Sequence, residues 1–152
     1  MGFPIEVFTG SPDETFNLGK QICEYLKPGS VIALFGTLGS GKTCLAKGIA
    51  SGLGITENLT SPTYTIINEY PLCGSGICAA STLYHIDVYR LKDDRDFEDL
   101  GGIEIIGSNG IVIIEWSERI PKSIPSDAIK VHLEIKSAGE RVIRITGMDQ
   151  TG

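Results

Sequence analysis

The sequence predicts an α/β fold in which a mixed β-sheet is flanked by helices and ends in a C-terminal β-hairpin. Two short, unbroken apolar runs, Val31–Phe35 and Ile111–Ile114, are typical of strands that are covered on both faces, as in a parallel sheet. A helical pattern from Lys42 to Leu53 follows the first run across a glycine-rich turn. Strand, turn and helix in this order make one α/β unit.

A helix is also predicted before the first of these strands. Ser11 is a suitable N-cap, Pro12 fits the first helical position, and Glu14 completes a capping box. Apolar residues then recur at near-helical spacing from Thr15 to Leu26, and Pro28-Gly29 predicts the end of the helix.

Two hairpins account for the remaining strand patterns. Tyr64–Tyr70 and Thr82–Tyr89 are rich in β-formers and are joined by a turn-rich bridge. Ile129 to Ile135 alternates between apolar and polar residues, and a turn at Gly139 leads into Arg141–Thr146. The second hairpin is therefore expected to have one solvent-exposed face.

Length and composition exclude several classes of protein. The chain has 152 residues and a net charge of −6, so we expect one domain over residues 1–152 and no dedicated nucleic-acid surface, which is usually basic. No apolar run approaches the ~18 residues of a membrane helix, and Met1–Gly10 lacks the features of a signal peptide. The protein is expected to be cytoplasmic, with its 4 cysteines as free thiols.

Residues 36–43, Gly-Thr-Leu-Gly-Ser-Gly-Lys-Thr, match the P-loop pattern G-x-x-x-x-G-K-[ST] at every fixed position. They lie between a buried strand and a helix, which is the context a phosphate-binding loop requires. Glycines allow consecutive backbone N–H groups to surround a phosphate at the helix N-terminus. Lys42 is expected to contact the β- and γ-phosphates, and the Thr43 hydroxyl to bind Mg²⁺. A P-loop NTPase-like sheet is therefore predicted.

Two acidic residues at strand ends are candidates for the chemistry. Glu115 follows a buried strand and is the candidate second magnesium ligand, with an ordinary solvent-exposed acid as the alternative. Asp87 shares one strand face with His85 and is a candidate for orienting water or binding metal. An ion pair of Asp87 with Arg90 or Arg95 is an equally good interpretation.

Three further features do not point to a single role. Ser61–Thr65 is either a switch-like loop that senses the γ-phosphate or a plain turn entering a strand. Cys73, Cys78 and His85 lack a fourth ligand and match no common zinc spacing. Trp116 is more often a core or interface anchor than a cofactor contact, although an aromatic ring beside the phosphates is also compatible with its position.

Taken together, these motifs resemble the bacterial TsaE family. The resemblance extends from the Ser11 cap to the closing hairpin. It rests on the P-loop, Ser-Pro-Thr-Tyr-Thr at 61–65, His-Ile-Asp-Val-Tyr-Arg-Leu at 85–91, the acidic segment leading to Gly101-Gly102-Ile103, and Ile-Glu-Trp at 114–116.

The resemblance implies an ATPase required for N6-threonylcarbamoyladenosine, the modification next to the anticodon of tRNAs that read codons beginning with A. Such proteins bind the transferase TsaD with its partner TsaB, and the resemblance implies that ATP turnover resets that complex. They reach tRNA indirectly, so neither DNA nor a membrane is an expected partner. ATP and Mg²⁺ are the expected cofactors, with slow hydrolysis by the isolated protein.

The resemblance also assigns residues. Lys42, Asp87 and Glu115 are implied in hydrolysis, and Thr43 and Glu115 in binding magnesium. The adenine is placed by analogy between the Ser11 region and the Gly139 turn. The implied nucleotide contacts are Gly36, Leu38, Gly39, Ser40, Gly41, Lys42, Thr43, Cys44, Ser11, Thr63, Trp116 and Gly139. The chain departs from the usual family residues at Thr37, Ser40, Cys44 and Ser117, none of which removes a phosphate or metal ligand.

Two other functions are compatible with a P-loop. A small-molecule kinase usually carries a lid with several arginines, and the stretch from Tyr64 to Glu115 offers only Arg90 and Arg95. A GTP-controlled binding module usually carries an Asn-Lys-x-Asp sequence for guanine, which this chain lacks. ATP is therefore favoured over GTP, and hydrolysis over phosphate transfer to a metabolite.

Overall fold

The computed structural model describes residues 6–57, 59, 67–72 and 82–148. Within these ranges the chain forms one mixed sheet of seven strands in the order β1-β7-β6-β2-β5-β4-β3. The strands are β1 (Glu6–Thr9), β2 (Val31–Phe35), β3 (Ile67–Pro71), β4 (Thr82–Asp87), β5 (Ile111–Glu115), β6 (Ile129–Ser137) and β7 (Glu140–Thr146). The helices are α1 (Pro12–Ile22), α2 (Lys42–Gly52), α3 (Asp94–Asp99) and α4 (Gly102–Ile106), with 3-10 turns at Cys23–Tyr25 and Ser117–Arg119.

The centre of the sheet is parallel and positions the candidate site. β2 pairs in parallel with β5 and β6, and β5 pairs in parallel with β4. In this register Glu115 lies opposite Leu34 on one side and Asp87 on the other. The end of β4, the end of β5 and the loop after β2 therefore meet at one edge of the sheet, where α/β proteins bind ligands.

Apolar side chains on the two faces of the sheet form two separate clusters. The helices α1 and α2 cover one face, where Ile32 and Leu34 of β2 are fully buried. α3 and α4 cover the other face around the buried ring of Phe97. Because both faces of β5 are covered, Ile111–Ile114 are buried, as their apolar sequence predicts, and Glu115 is buried with them.

Helices α1 and α2 approach each other closely through two glycines. A Cβ atom at Gly48 would overlap the carbonyl oxygen of Phe16, and one at Gly19 would overlap the carbonyl oxygen of Leu45. No larger residue fits at either position without moving a helix. This contact fixes α2, and with it the loop that precedes α2, against the rest of the fold.

The predicted helix start is confirmed and the predicted helix end is wrong. The Ser11 hydroxyl accepts a hydrogen bond from the Glu14 N–H at 3.2 Å, and the Glu14 carboxylate accepts one from Gly10 at 2.7 Å. The α-helix ends at Ile22, however, because a 3-10 turn tightens the chain before Pro28 is reached. Leu26 is then extended and buried in the core instead of lying on a helix.

Both predicted hairpins are present where the structure describes them. β3 and β4 are antiparallel, and so are β6 and β7, with an irregularity between Ile135 and Ser137. The bridge between β3 and β4 lies outside the described residues. The sequence did not predict β1, a four-residue strand that pairs with β7 at the edge of the sheet. Along the described residues, no helix has the length and apolar character needed to cross a bilayer.

Replacing Gly48 by alanine tests the contact between α1 and α2. Alanine has the better helix propensity, but the added methyl group overlaps the Phe16 carbonyl, and such overpacking costs about 1–3 kcal/mol. We expect Gly48→Ala to lower the free energy of unfolding in urea by an amount in that range. Ser51→Ala, an exposed change on the same helix, is the matched control and should have little effect. Equal stability of Gly48→Ala and the wild type would contradict the packing described here.

Candidate functional site

The glycine-rich loop between β2 and α2 adopts a conformation that depends on glycine. Gly39 has φ 81° and Gly41 has φ 105°, both in the left-handed region that other residues rarely adopt. α2 begins directly afterwards at Lys42, so the positive end of its dipole lies at the loop. The loop therefore has the glycine conformations and the helix start that the sequence predicts for a phosphate-binding loop, and phosphate binding itself stays a prediction.

The Lys42 side chain folds back over this loop. Its Nζ donates to the carbonyl oxygens of Gly36 at 2.6 Å and Thr37 at 2.9 Å. It also lies 3.9 Å from the centre of the Trp116 ring, a cation–π contact. Burial lowers the pKa of Lys42, and the negative charges of Glu115, Glu118 and Asp87 oppose that shift. The ammonium group is thus held at the floor of the loop.

Glu115 is buried, and its carboxylate is hydrogen-bonded to both Thr43 and His85. Its side chain is 2% exposed, and its carboxylate oxygens accept from the Thr43 hydroxyl at 3.0 and 3.3 Å. On the other side, Oε2 lies 2.6 Å from Nε2 of the fully buried His85. Because an ionised carboxylate only accepts hydrogen bonds, His85 is the donor in this pair. The alternative that Glu115 is an ordinary solvent-exposed acid is wrong.

Asp87 ends β4 beside Glu115. Its Oδ1 accepts a hydrogen bond from the Tyr89 N–H at 2.9 Å. Burial is the main cause that raises the pKa of Asp87, and repulsion by Glu115 adds to it. Within the described part of the chain, the ion pairs do not include one from Asp87 to Arg90 or Arg95, so that alternative is not observed.

These side chains line a common cleft of about 310 Å³. The lining residues that the structure describes all belong to the set predicted from the sequence. They are Leu38, Gly39, Gly41, Lys42, Thr43, Cys44, Asp87, Glu115 and Trp116. The cleft therefore brings together the loop, both strand-end carboxylates and the tryptophan.

The oxygen atoms of Thr43 and Glu115 fit a magnesium ion. Mg²⁺ usually takes one or two protein oxygen ligands and fills its other positions with phosphate oxygens and water. The Thr43 hydroxyl and the Glu115 carboxylate are already adjacent and supply such a pair. Among the described residues, no group of three or more His, Cys, Asp and Glu side chains is arranged to hold a metal ion. A magnesium ion at Thr43 and Glu115 would therefore need phosphate oxygens and water as its other ligands.

The other predicted contacts lie around the loop. Ser11 caps α1, next to Pro12, whose carbonyl oxygen is 3.1 Å from the Cys44 thiol. A Cβ atom at Gly139 would lie 3.5 Å from the carbonyl oxygen of Gly10, so the Ser11 region and the Gly139 turn are neighbours. Adenine binding between them stays a prediction.

Some predicted residues are buried in the loop or lie outside the described ranges. Ser40 is fully buried, and the N–H of Gly36 donates to Glu118 at 3.2 Å. Thr63, with the rest of the switch-like loop, lies outside the described residues. So do Cys73 and Cys78, the two cysteines of the weak zinc interpretation.

Among the described residues, three contributors to the site have roles that the sequence does not predict. His85 was placed on the correct strand face by its alternation with Ile86, but its bond to Glu115 crosses from one strand to another. Glu118 and Arg141 contact the loop from distant parts of the chain. No local pattern marks either of them, because their partners are backbone groups.

The conformation of Trp116 was also unexpected. It has φ 65°, a left-handed conformation that is unfavourable for a bulky residue. This turn places the indole ring under Lys42 and beside Tyr89, whose ring centre is 4.8 Å away. The family resemblance implied that Trp116 lies beside the nucleotide site, and its contact with Lys42 is consistent with that expectation.

The raised pKa of Asp87 predicts how the free energy of unfolding depends on pH. The folded protein binds a proton at Asp87 more tightly than the unfolded chain does, so the ionised form destabilises the fold. Asp87→Asn removes the charge and keeps an oxygen acceptor for Tyr89. We therefore expect a larger free energy of unfolding in urea at pH 7 for the variant than for the wild type. The difference should shrink as the pH falls and the wild-type carboxyl takes up its proton.

The exposed residue Asp127 provides the control, because Asp127→Asn should change stability little at any pH. An Asp87→Asn variant that is less stable than the wild type at pH 7 would show that the carboxylate stabilises the fold. A gain that is independent of pH would show that ionisation of Asp87 is not its cause.

Known proteins are similar to this chain over most of its length. The family model of the threonylcarbamoyl adenosine biosynthesis protein TsaE matches residues 9–143. A Nostoc sp. protein named tRNA threonylcarbamoyladenosine biosynthesis protein TsaE is 43% identical over 152 residues, covering 96% of this chain and 88% of that protein. The Treponema pallidum protein of the same name is 39% identical over 135 residues, covering 89% of this chain and 95% of that protein.

A solved structure is similar over nearly the whole chain. The crystal structure of Bacillus subtilis YdiB superposes with a TM-score of 0.78 at 34% identity, covering 98% of this chain and 88% of that one. A Bacillus subtilis protein named as TsaE is 39% identical over 140 residues, covering 92% of this chain and 84% of that protein. From its sequence and its fold, the chain belongs to the TsaE family, which is involved in tRNA threonylcarbamoyladenosine biosynthesis.

Proposed function

We propose that this protein binds and hydrolyses ATP with Mg²⁺. We further propose that this activity supports the TsaD–TsaB complex in forming N6-threonylcarbamoyladenosine next to the anticodon of tRNAs that read codons beginning with A. The observation that carries the proposal is the contact between the Thr43 hydroxyl, at the first turn of α2, and the buried carboxylate of Glu115. That contact supports the proposal because it brings the loop proposed to bind phosphate next to the acid proposed to bind magnesium.

The loop and Lys42 would bind the phosphates of ATP. Backbone N–H groups at the N-terminus of α2 favour an anion, and the ammonium group of Lys42 adds a full positive charge. Because two loop carbonyls already hold Lys42, little further ordering of its side chain is needed when a phosphate arrives. Thr43 and Glu115 would hold Mg²⁺, which would supply additional positive charge to the phosphates.

Asp87 is the residue best placed to orient water. It lines the same cleft as Lys42 and Glu115, and the Tyr89 N–H fixes one of its carboxylate oxygens. A carboxylate in that position can accept a hydrogen bond from water that attacks the γ-phosphate in line with the leaving oxygen. Lys42 offsets the negative charge that develops on the phosphate oxygens.

The isolated protein is expected to turn over slowly. None of the described residues that line the cleft is an arginine, whereas fast P-loop hydrolases add an arginine to the phosphate site. This arrangement favours dependence on partner proteins and disfavours a metabolite kinase. With a net charge of −6, the chain is suited to reach tRNA through TsaD and TsaB in the cytoplasm.

Separate Lys42→Ala and Glu115→Gln variants test the proposed function. In a reconstituted system of TsaD, TsaB, tRNA and ATP, we expect each variant to reduce ATP turnover by at least about 100-fold. Modified tRNA should then stop at one round per complex, because the complex is not reset. Lys47→Ala, an exposed change on the same helix as Lys42, should retain multiple rounds. Multiple rounds that survive both site changes would exclude the proposal.

His85 should tune the affinity for magnesium through Glu115. Replacement of a residue that orients a metal ligand typically costs about 10–100-fold in metal affinity. We expect His85→Leu to raise by that factor the Mg²⁺ concentration needed for tight binding of a fluorescent ATP analogue. Binding measured in EDTA should change much less, because Glu115 then has no metal ion to hold.

His85→Gln is the matched variant, since its amide nitrogen can donate to Glu115 in place of Nε2. We expect its magnesium dependence to lie close to that of the wild type. Thermal unfolding of each variant controls for loss of fold. Identical magnesium dependence of the leucine variant and the wild type would show that His85 does not position Glu115.

A further inference from the structure

Arg141 connects the closing hairpin to the phosphate-binding loop. It is the second residue of β7, and its guanidinium donates to the carbonyl oxygens of Gly39 at 3.0 Å and Ser40 at 3.2 Å. The same group donates to the carbonyl oxygens of Ser137 at 3.3 Å and Glu140 at 3.0 Å in its own hairpin. The Arg141 side chain therefore links two carbonyl groups of the loop to two carbonyl groups of the β6–β7 hairpin.

The orientation of the loop peptides follows from these bonds. In a trans peptide the C=O and the next N–H point in opposite directions. With the carbonyls of Gly39 and Ser40 held toward Arg141, the N–H groups of Ser40 and Gly41 point away from it. The Ser40 N–H then closes a turn onto the Thr37 carbonyl at 3.1 Å. The Gly41 N–H is directed away from β7, and Gly41 itself lines the cleft.

The loop needs such an external restraint because of its composition. Gly39 and Gly41 have access to more backbone conformations than any other residue type and lose the most freedom when they are fixed. Residues 37–39 are exposed, so packing does not hold them. Arginine suits the task because its planar fork donates to two acceptors at once and keeps its charge over the physiological pH range.

We propose that Arg141 is a positioning residue that orders the phosphate-binding loop before nucleotide binds. Its effect on affinity rests on the proposed function, but its effect on the loop does not. If the binding-competent loop is only fractionally populated without Arg141, the apparent nucleotide affinity falls by that fraction. Loop order in the free protein and nucleotide affinity should therefore change by related factors.

Arg144 provides a matched control on the same strand. It lies three residues after Arg141 and pairs with the exposed carboxylates of Glu6 at 3.1 Å and Glu134 at 3.0 Å. Arg144→Gln removes the same charge from β7 without touching the loop. Arg141→Gln removes the guanidinium and its charge. Arg141→Lys keeps the positive charge but replaces the planar guanidinium with a single ammonium group.

Hydrogen–deuterium exchange of the nucleotide-free, full-length chain tests the effect on the loop. In Arg141→Gln we expect the amide of Ser40, whose N–H is bonded to the Thr37 carbonyl, to exchange about 10-fold faster than in the wild type, while the core strands β2 and β5 keep their protection. Arg141→Lys should be intermediate, and Arg144→Gln should match the wild type. Unchanged loop exchange in Arg141→Gln, or faster exchange of the core as well, would overturn the proposal.

Nucleotide affinity is the second measurement. We expect ADP binding to weaken about 10-fold in Arg141→Gln, with Arg144→Gln unchanged. Faster loop exchange with unchanged ADP affinity would overturn the role of Arg141 in binding. Failure of the wild type to bind either ADP or ATP would instead count against the proposed function, and the exchange experiment would still decide whether Arg141 orders the loop.

Discussion

The candidate site depends on the hydrogen bonds that the buried carboxylate of Glu115 makes with Thr43 and His85. A charged group that is 2% exposed is unfavourable unless donors surround it, and here Thr43 and His85 approach it from opposite sides. These donors come from α2 and β4, so both bonds form only when β2, β5 and β4 pair in the observed parallel register. The site is thus a product of the sheet and not of the loop alone.

Lys42, Asp87 and Trp116, which lie around Glu115, are each in a state that is unfavourable for the stability of the fold. Burial lowers the pKa of Lys42 and raises that of Asp87, which means that each charged form is disfavoured where it lies. Trp116 adds a strained backbone conformation at the same edge of the sheet. Clusters of shifted pKa values and strain are typical of functional sites. The close contact of α1 and α2 at Gly19 and Gly48 fixes the position of α2, which carries Lys42 and Thr43.

The sequence predicted the parts of this site that have local patterns. The P-loop was identified from eight consecutive residues, and Glu115 and Asp87 from their positions at the ends of strands. Contacts between distant residues were not predictable in the same way. Arg141 reaches Gly39 across 102 positions and recognises only backbone carbonyls, so its sequence neighbours carry no sign of its role. The early end of α1 at Ile22 was missed because the core favours a buried Leu26 over a continued helix.

Isothermal titration calorimetry of ATP into the wild-type chain, with and without Mg²⁺, tests most directly whether the cleft beside Lys42 and Glu115 is a nucleotide site. We expect one ATP to bind per chain, with higher affinity when Mg²⁺ is present and with lower affinity for GTP under the same conditions. Absence of ATP binding at millimolar concentrations, or an affinity that is the same with and without Mg²⁺, would contradict the assignment of the phosphate-binding loop and its magnesium ligands.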